Sequence, residues 1–369
     1  MLSSDSTACL HGCPPQTAIL LVNLGTPDAP TAPALRRYLG EFLSDPRVVE
    51  IPRPLWWLIL NGIILPTRSS RSAAKYATIW TERGSPLQTG TADLTQAIAD
   101  EMSRLGHHVR VRYAMRYGNP SVSSVLEEMA RQNVTRMLLV PLYPQYCAAT
   151  TASTLDAVTA WMRRSRRLPE LRVLNHFHDE PLYIEALARK IEAHWQRNGR
   201  PDQLVMSFHG MPARTLKLGD PYHCECHKTA RLLAQRLGLA ASEYAVTFQS
   251  RFGKQKWLQP YTEPTLRQLA KEGVGRVDVI CPGFSVDCLE TLEEIAVEGK
   301  QAFLSSGGKT FHYIDCLNAE AHWTQSLSSL LAAHLQGWDT TVPVDEEQLA
   351  QTRARAQAMG AGNLTNSAG

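Results

Sequence analysis

The sequence predicts an α/β fold made of two similar, doubly wound domains, each with a parallel four-stranded sheet. At 369 residues the chain exceeds the size that one hydrophobic core usually reaches, about 250–300 residues. Short apolar runs alternate with segments of helical periodicity, which is typical of parallel sheets with helices on both faces. The run Leu20–Pro27 also resembles Val205–Pro212, which indicates that one structural plan occurs twice.

Eight apolar runs are the strand candidates, four in each half. In the first half they are Ala18–Asn23, Val109–Ala114, Met137–Pro141 and Arg172–Phe177. In the second half they are Gln203–Phe208, Tyr244–Gln249, Val277–Cys281 and Thr310–Ile314. Helical periodicity lies between them, for example in Ala92–Arg104, Ser121–Gln132, Leu182–Arg197 and Thr229–Arg236.

The predicted domain boundaries follow these patterns. Residues 1–16 lack periodicity and are expected to form a flexible tail, before a Rossmann-like domain at 17–178 and a second one at 179–318. The helical segment 319–337 is expected to complete the N-terminal domain. Residues 340–369 are polar and rich in Ala, Gln and Gly, so we expect a partly disordered tail there.

Composition argues against several classes of protein. The net charge of +3 is too small to favour a nucleic-acid partner. No GxGxxG motif follows the first strand, so a dinucleotide site is not expected. The eight cysteines include no CxxC pair, and the N-terminus lacks the pattern of a secretory signal, so we expect reduced thiols in a cytoplasmic protein.

Metal-competent side chains follow two of the predicted strands. His209 comes directly after one apolar run, and Asp287, Glu290 and Glu294 come shortly after another. In an open α/β sheet, side chains at the carboxyl ends of strands face the ligand crevice. Glu290 and Glu294 would share one face of a helix, where a metal ion or a proton would relieve their repulsion. We therefore expect His209 and these acidic groups to face each other across one cleft.

The most apolar stretch, Leu55–Leu65, allows two interpretations. It is shorter than the roughly 20 residues that a membrane span requires. It is either a buried helix or an exposed lip that dips into a membrane surface or grips a flat apolar ligand. The adjacent Trp56 and Trp57 cannot both face the core of one helix, which keeps the second interpretation open.

The segment His223-Cys-Glu-Cys-His is a weaker metal candidate. Its C-x-C spacing does not match common zinc patterns. A helix would place His223 and His227 on one face, but we favour a structural interpretation.

A set of short motifs resembles the ferrochelatase family, from about Ala18 to Leu335. In the first half these are Asn23-Leu-Gly-Thr-Pro, Gly84-Ser-Pro, Arg116-Tyr and Leu142-Tyr-Pro-Gln-Tyr. In the second half they are Ser207-Phe-His, Gly219-Asp-Pro-Tyr, Phe248-Gln-Ser-Arg-Phe-Gly, Trp257-Leu-Gln-Pro and Asp287-Cys-Leu-Glu-Thr-Leu. The resemblance implies a chelatase-like fold with a porphyrin cleft between the halves. It also implies insertion of Fe2+ into protoporphyrin IX, which gives protohaem.

The same resemblance implies roles for individual residues. His209 and Glu290 match the catalytic pair and are expected to contact the metal, with Asp287 and Glu294 on the acidic line beside them. Residues 52–66 fall where the family has its apolar lip. The predicted substrate-binding residues are Leu24, Arg116, Tyr143 and Trp257.

Cysteines mark two points on which the chain differs from other members. The family often has His after the aspartate, where this chain has Cys288, so a proton or metal path through that position is in doubt. Some members carry a 2Fe-2S cluster on C-terminal cysteines. Here the last cysteine is Cys316, so such a cluster is not expected. No resident cofactor is expected, and Fe2+ is a substrate.

The expected partners are protoporphyrin IX and Fe2+, with peripheral contact at the inner face of the membrane. The sequence does not fix the oligomeric state, and we favour a monomer. Two other functions stay open: metal insertion into coproporphyrin III or a corrin precursor, and a non-catalytic tetrapyrrole carrier. Our hypothesis makes His209 the principal proton acceptor, although sequence does not divide the roles of His209 and Glu290. Arg36, Arg37 and Arg116 are candidate partners for the substrate propionates.

Overall fold

Two parallel four-stranded sheets form the framework of the computed structural model, which describes residues 13–253 and 255–360. Their strand orders, β2-β1-β3-β4 and β6-β5-β7-β8, are the same plan used twice. The predicted fold class and its internal repeat are therefore confirmed. The strands are β1 (Gln16–Thr26), β2 (Val109–Gly118), β3 (Val134–Pro141), β4 (Glu170–Val173), β5 (Gln203–His209), β6 (Tyr244–Gln249), β7 (Arg276–Ile280) and β8 (Thr310–Ile314).

Helices connect and flank these strands. In the first half they are α1 (Ala32–Leu43), α2 (Arg53–Ile59), α3 (Leu65–Ile79), α4 (Pro86–Arg104), α5 (Val122–Arg131) and α6 (Ser153–Met162). They continue with α7 (Pro181–Asn198), α8 (Ala213–Lys217), α9 (Tyr222–Leu237), α10 (Thr262–Lys271), α11 (Lys300–Ser305), α12 (Ala321–His334) and α13 (Glu346–Ala358). Three further segments are π-helical: Leu60–Ile64, Ala148–Ala152 and Glu290–Gly299.

The fourth strand differs from its prediction. It was expected at Arg172–Phe177, but β4 ends at Val173. The next residue still bonds to the sheet, since the Leu174 amide donates to the Leu139 carbonyl at 2.9 Å, and the chain then leaves it. Leu174 and Phe177 are buried in the core beneath the helices. Their apolar character therefore reflects helix packing rather than strand pairing.

The central strand β1 is buried on both faces, as expected for a doubly wound sheet. Ile19 and Leu21 point into one apolar cluster, and Leu20 points into another on the opposite face. The first cluster also contains Leu204 and Met206 of β5, so the two halves share a continuous core. Burial of each such side chain stabilises the fold by roughly 1.5–3 kcal/mol.

Helix α12 packs against α4 of the first half and α7 of the second. The Arg172 guanidinium of β4 donates to the His334 and Gln336 carbonyls at 2.9 and 2.8 Å. The Trp338 indole N–H donates to Glu170 at 2.9 Å. These bonds attach the segment at the end of α12 to the edge of the first sheet. The expectation that 319–337 completes the N-terminal domain stays a prediction. The division between domains at residue 178 stays a prediction.

Within the polar C-terminal segment, residues 346–358 form helix α13. The Asp345 side chain caps it by accepting a hydrogen bond from the Gln348 amide at 2.9 Å. Ala, Gln, Glu and Arg are good helix formers, so the composition that suggested disorder also supports a helix. No α13 residue is buried. Predicted disorder at 361–369, and most of the tail predicted at 1–16, lie outside the described residues.

Two glycines hold equivalent places at the ends of the central strands. A Cβ at Gly25 would lie 1.8 Å from the Tyr117 carbonyl oxygen, and Gly25 has a φ of +111°. A Cβ at Gly210 would lie 2.5 Å from the Gln249 carbonyl oxygen. At both places a bare backbone lets the chain leave the sheet directly beside its neighbouring strand.

We expect Gly25→Ala to destabilise the protein by about 2–4 kcal/mol, because both the clash and the positive φ involve backbone. Thermal unfolding followed by circular dichroism measures the change. Gly62→Ala is the matched control, since a Cβ there meets nothing within 4 Å. The control is expected to stay within about 1 kcal/mol of the parent. Equal midpoints for the two variants would contradict the prediction.

Candidate active site

A cavity of about 390 Å³ opens where the carboxyl ends of the two sheets meet. This volume lies in the range of small-molecule sites, about 300–1,000 Å³. The first half contributes Leu24 at the end of β1 and Tyr143 after β3. The second half contributes His209 at the end of β5, Trp257 after β6 and Glu290 after β7. Five of the predicted site residues therefore line one space.

His209 is held in one tautomer. Its Nδ1 lies 2.7 Å from the carbonyl oxygen of Gly210. A carbonyl oxygen only accepts hydrogen bonds, so Nδ1 carries the hydrogen and Nε2 keeps its lone pair. Nε2 is thus the ring nitrogen available to a proton or a metal ion.

Glu290 begins the ten-residue π-helix Glu290–Gly299. Helices of this kind are rare, and short π-helical turns are frequent at functional sites. The sequence predicted a helix here, but not its hydrogen bonding across five residues. The first half has a shorter π-helix, Ala148–Ala152, at the corresponding place after β3. The same distortion therefore follows the second inner strand in both halves.

Glu294 lies behind this wall rather than among the residues that line the cavity. Its carboxylate accepts hydrogen bonds from the Ser250 hydroxyl and, at 2.7 Å, from the Ser250 amide. Burial raises the pKa of Glu294 above its ordinary value, the hydrogen bonds from Ser250 and the nearby His209 lower it, and the charge of Glu290 raises it. Glu294 therefore lies within electrostatic reach of both predicted catalytic residues.

The Asp287 carboxylate is already occupied by neighbouring donors. It accepts hydrogen bonds from the Tyr313 hydroxyl at 2.6 Å, the Asn318 amide at 2.7 Å and the Thr291 hydroxyl at 2.9 Å. It is buried and is not among the described residues that line the cavity. This arrangement favours a structural role, and the predicted metal contact of Asp287 stays a prediction.

Cys288 does line the cavity. Burial and the charge of Glu290 raise the pKa of its thiol well above the ordinary value. The thiol therefore keeps its proton at neutral pH and does not replace an imidazole base.

The walls are mainly apolar and aromatic. The Trp257 indole is fixed by donation to the Phe252 carbonyl at 2.9 Å. The Tyr143 hydroxyl is buried and has no hydrogen-bond partner among the described residues. Burial raises the pKa of Tyr143 well above its ordinary value, so the group stays neutral. This hydroxyl leaves hydrogen-bonding capacity for a ligand.

The apolar stretch after residue 52 divides between core and surface. Trp56 is buried and donates its indole N–H to the Leu43 carbonyl at 2.6 Å. Trp57, Leu58 and Ile63 are 63%, 62% and 58% exposed. Trp56 and Ile64 also line the cavity, so the segment is a lip that borders it. Among the described helices, none is both long and apolar enough to span a bilayer.

Arg116 is not among the described residues that line the cavity. Its guanidinium donates to the Asp45 carboxylate at 2.5 Å and to the Ser153 hydroxyl at 2.7 Å. Arg36 and Arg37 are exposed and also lie outside the lining. The predicted substrate contact of Arg116 stays a prediction that its existing partners do not favour.

The cavity contains three other arginines that sequence reasoning missed: Arg47, Arg68 and Arg214. Arg47 pairs with Asp156 at 2.8 Å, and Arg214 pairs with Glu50 at 2.5 Å. Arg68 lies over the Phe252 ring, 5.8 Å from its centroid. No sequence motif distinguished these arginines from the other basic residues.

His223 and His227 do share one face of α9, with ring centroids 4.5 Å apart. His223 stacks on Phe248 with an interplanar angle of 17°. These packing contacts favour the structural interpretation. The seven cysteines in the described ranges are all free thiols. The expected lack of an iron–sulfur cluster stays a prediction.

Two doubly wound halves, with an imidazole and a carboxylate-bearing helix lining one apolar cleft, define a protein of the metal-chelatase class. Among solved structures, SirB from Bacillus subtilis, described with Fe3+, matches with a TM-score of 0.52 at 14% identity. The match covers 89% of this chain and 100% of that one. At this identity the likeness concerns the fold.

Sequence comparisons define the family more narrowly. A family model described as Ferrochelatase matches residues 16–335. A ferrochelatase of a Polaromonas species is 61% identical over 355 residues, covering 95% of this chain and 97% of its own. One from Methylibium petroleiphilum is 60% identical over 361 residues, covering 98% and 99%. The chain belongs to the ferrochelatase family, as its motifs predicted, and is therefore an enzyme of the lyase class.

The raised pKa of Glu294 gives a pH-dependent prediction. A buried acid whose folded-state pKa is raised contributes stability below its unfolded pKa, and this contribution is lost as pH rises through the folded pKa. We therefore expect Glu294→Gln to gain thermal stability relative to the parent between about pH 5 and pH 8. Melting temperatures of both proteins across this range measure the difference. Glu263→Gln, at an exposed site on α10, is the control, and an unchanging difference for Glu294→Gln would contradict the prediction.

Proposed function

We propose that the protein inserts Fe2+ into protoporphyrin IX, forming protohaem and releasing two pyrrole protons. The observation that carries this proposal is that His209 and Glu290, from different elements, line one mainly apolar cavity. A flat hydrophobic macrocycle suits such walls. Replacing its two pyrrole protons by a metal ion requires a proton acceptor and a metal ligand, which His209 and Glu290 can supply.

The walls favour a distorted ring. Iron cannot enter a planar free-base porphyrin until the ring buckles and its N–H protons turn outward. A site that binds the buckled ring more tightly than the planar one lowers the barrier. Trp257 and Trp56 are held by hydrogen bonds to backbone carbonyls, so they form rigid surfaces. Leu24 provides an apolar contact from the opposite half.

His209 and Glu290 are proposed to divide the metal and proton chemistry. With its hydrogen on Nδ1, His209 presents Nε2 as the principal proton acceptor, and both side chains contact iron in passing. One imidazole and one carboxylate make an incomplete ligand set, which releases the metal more readily than a closed site. Glu294 stands behind the pair as a second carboxylate. We propose no resident cofactor for this reaction.

Arg47, Arg68 and Arg214 are proposed to receive the substrate propionates. They line the same cavity, and guanidinium groups bind carboxylates in bidentate geometry. Arg68 makes no ion pair with the described residues, so it has the most capacity for a new partner.

We propose that the protein lies in the cytoplasm, in contact with the inner face of the membrane. The exposed side chains of Trp57, Leu58 and Ile63 are suited to an interfacial position, and exposed Arg53 and Arg71 lie near them. Protoporphyrin is apolar, so a lip at the cavity mouth would meet it at the lipid surface. Both halves that line the cavity belong to one chain, and we propose a monomer.

Anaerobic Fe2+ insertion tests the reaction, with loss of porphyrin fluorescence and appearance of the haem spectrum as the readouts. We expect faster turnover of protoporphyrin IX than of coproporphyrin III. His209→Ala and Glu290→Gln are expected to lower the rate by roughly 10²–10⁴-fold, as for loss of a general base. His223→Ala is the matched histidine control and should retain the parent rate.

Three results would contradict this proposal. Preference for coproporphyrin III would assign another substrate. Quenching without metalloporphyrin formation would indicate a carrier. A near-normal rate in His209→Ala at neutral pH would remove His209 as the proton acceptor.

The membrane contact gives a separate prediction. Trp57→Ser should weaken binding to anionic phospholipid vesicles by about tenfold, because an exposed indole inserts well at the interface. Vesicle cosedimentation measures the binding. Leu168→Ser, at a site 48% exposed outside the lip, is the control. Equal loss in both variants would show that the lip has no special role.

A further inference from the structure

A second group of metal-competent side chains lies outside the cleft, where the two halves meet. His176 and His178 follow β4, and Glu225 lies on α9. The Nδ1 atoms of His176 and His178 lie 2.8 and 3.3 Å from the two carboxylate oxygens of Glu225. We infer that these three residues form a binding site for a divalent first-row metal ion such as Zn2+.

The distances suit such an ion. In a tetrahedral zinc site with bonds of about 2.0–2.1 Å, neighbouring ligand atoms are about 3.4 Å apart. The candidate atoms of His176, His178 and Glu225 all lie within 4.8 Å of one another. Small side-chain movements would therefore bring all three into coordination. Two imidazoles and a carboxylate are also a common donor set for zinc, with water completing the shell.

Burial provides an independent indication of a ligand. His178 is only 6% exposed, yet its Nδ1 has no hydrogen-bond partner among the described residues. Glu225 is also 6% exposed. Buried polar atoms normally have partners, so an unpaired nitrogen directed at a buried carboxylate requires an explanation. A bound cation would give this nitrogen a partner beside a carboxylate whose oxygens already contact His176 Nδ1 and the Tyr146 amide. His176 is exposed and leaves an entry path.

The surrounding charges favour a cation at this group more than at a similar one. His194, Asp278 and His312 also lie close together, but the Arg276 guanidinium donates to both oxygens of Asp278 at 3.1 and 3.0 Å. That fixed positive charge opposes a metal ion there.

At the proposed site the nearby cation, Lys228, already pairs with Asp179. A further carboxylate oxygen, from Asp179 itself, lies 3.7 Å from His178 Nδ1. The charge balance around His178 therefore favours a cation.

Hydrogen bonds connect this site to the cleft wall. A Glu225 oxygen accepts the Tyr146 amide hydrogen at 2.7 Å. Thr229 donates to the His178 carbonyl at 2.7 Å and accepts from the Gln145 amide at 3.0 Å. Gln145 lines the cavity, so the metal would fix the loop after β3 against α9. Its role would be to hold the two halves in register around the substrate.

The test uses the full chain carrying His209→Ala and Glu290→Gln, which removes metal binding by the cleft pair. After treatment with a chelator, the protein is titrated with Co2+ and followed by visible absorption, and Zn2+ is then added in competition. We expect one equivalent of Co2+, its displacement by Zn2+, and a rise of several degrees in melting temperature. Adding His176→Ala or His178→Ala should weaken binding by at least tenfold.

His223→Ala in the same background is the control and should still bind one equivalent of Co2+. The inference is overturned if the background protein binds no metal, or if binding survives His176→Ala. It is also overturned if His223→Ala abolishes binding. His176 is exposed, so its variant tests the site even where His178→Ala disturbs folding. Since no readout depends on iron insertion, failure here is distinguishable from failure of the proposed function.

Discussion

Parallel pairing of the two central strands is the constraint on which the site depends. β1 lies between β2 and β3, and β5 lies between β6 and β7, with every pair parallel. All inner strands of a half therefore end at one edge, and the shared core brings the two edges together. His209 lies at the end of one strand and Glu290 follows another. The sheet geometry alone therefore places the two residues at the same edge, independently of their local contacts.

Removal of water controls the chemistry of the cleft. Burial raises the pKa of Glu294 and of the Cys288 thiol, while the Tyr143 hydroxyl is kept neutral and unpaired. In this wall the neutral forms of titratable groups are favoured over the charged forms. The positive charge of an entering metal ion would therefore interact strongly with the carboxylates of Glu290 and Glu294. The hydrogen bonds from Ser250 oppose the effect of burial on Glu294, because they stabilise its ionised form and lower its pKa.

Sequence reasoning was most successful where short-range pattern and topology coincide. His209 and Glu290 could be found because each follows an apolar run that ends at the ligand edge. The end of β4 was misplaced because Leu174 and Phe177 are apolar through helix packing. The π-helical bonding after Leu289 has no simple sequence signature. The cavity arginines and the group of Glu225 with two histidines depend on contacts between distant segments, 49 residues apart for His176 and Glu225, which no local pattern encodes.

The two halves repeat one plan but differ at the position just before the glycine that ends the central strand, where the first has Leu24 and the second has His209. A porphyrin bound between them would meet a hydrocarbon side chain from one half and an imidazole from the other. Protoporphyrin IX has unlike substituents around its rim, so its two faces are mirror-related rather than identical. The cleft would therefore distinguish enantiotopic faces of a flat molecule, and iron would enter from one of them only. Such an enzyme is stereospecific, although its product shows no trace of the choice.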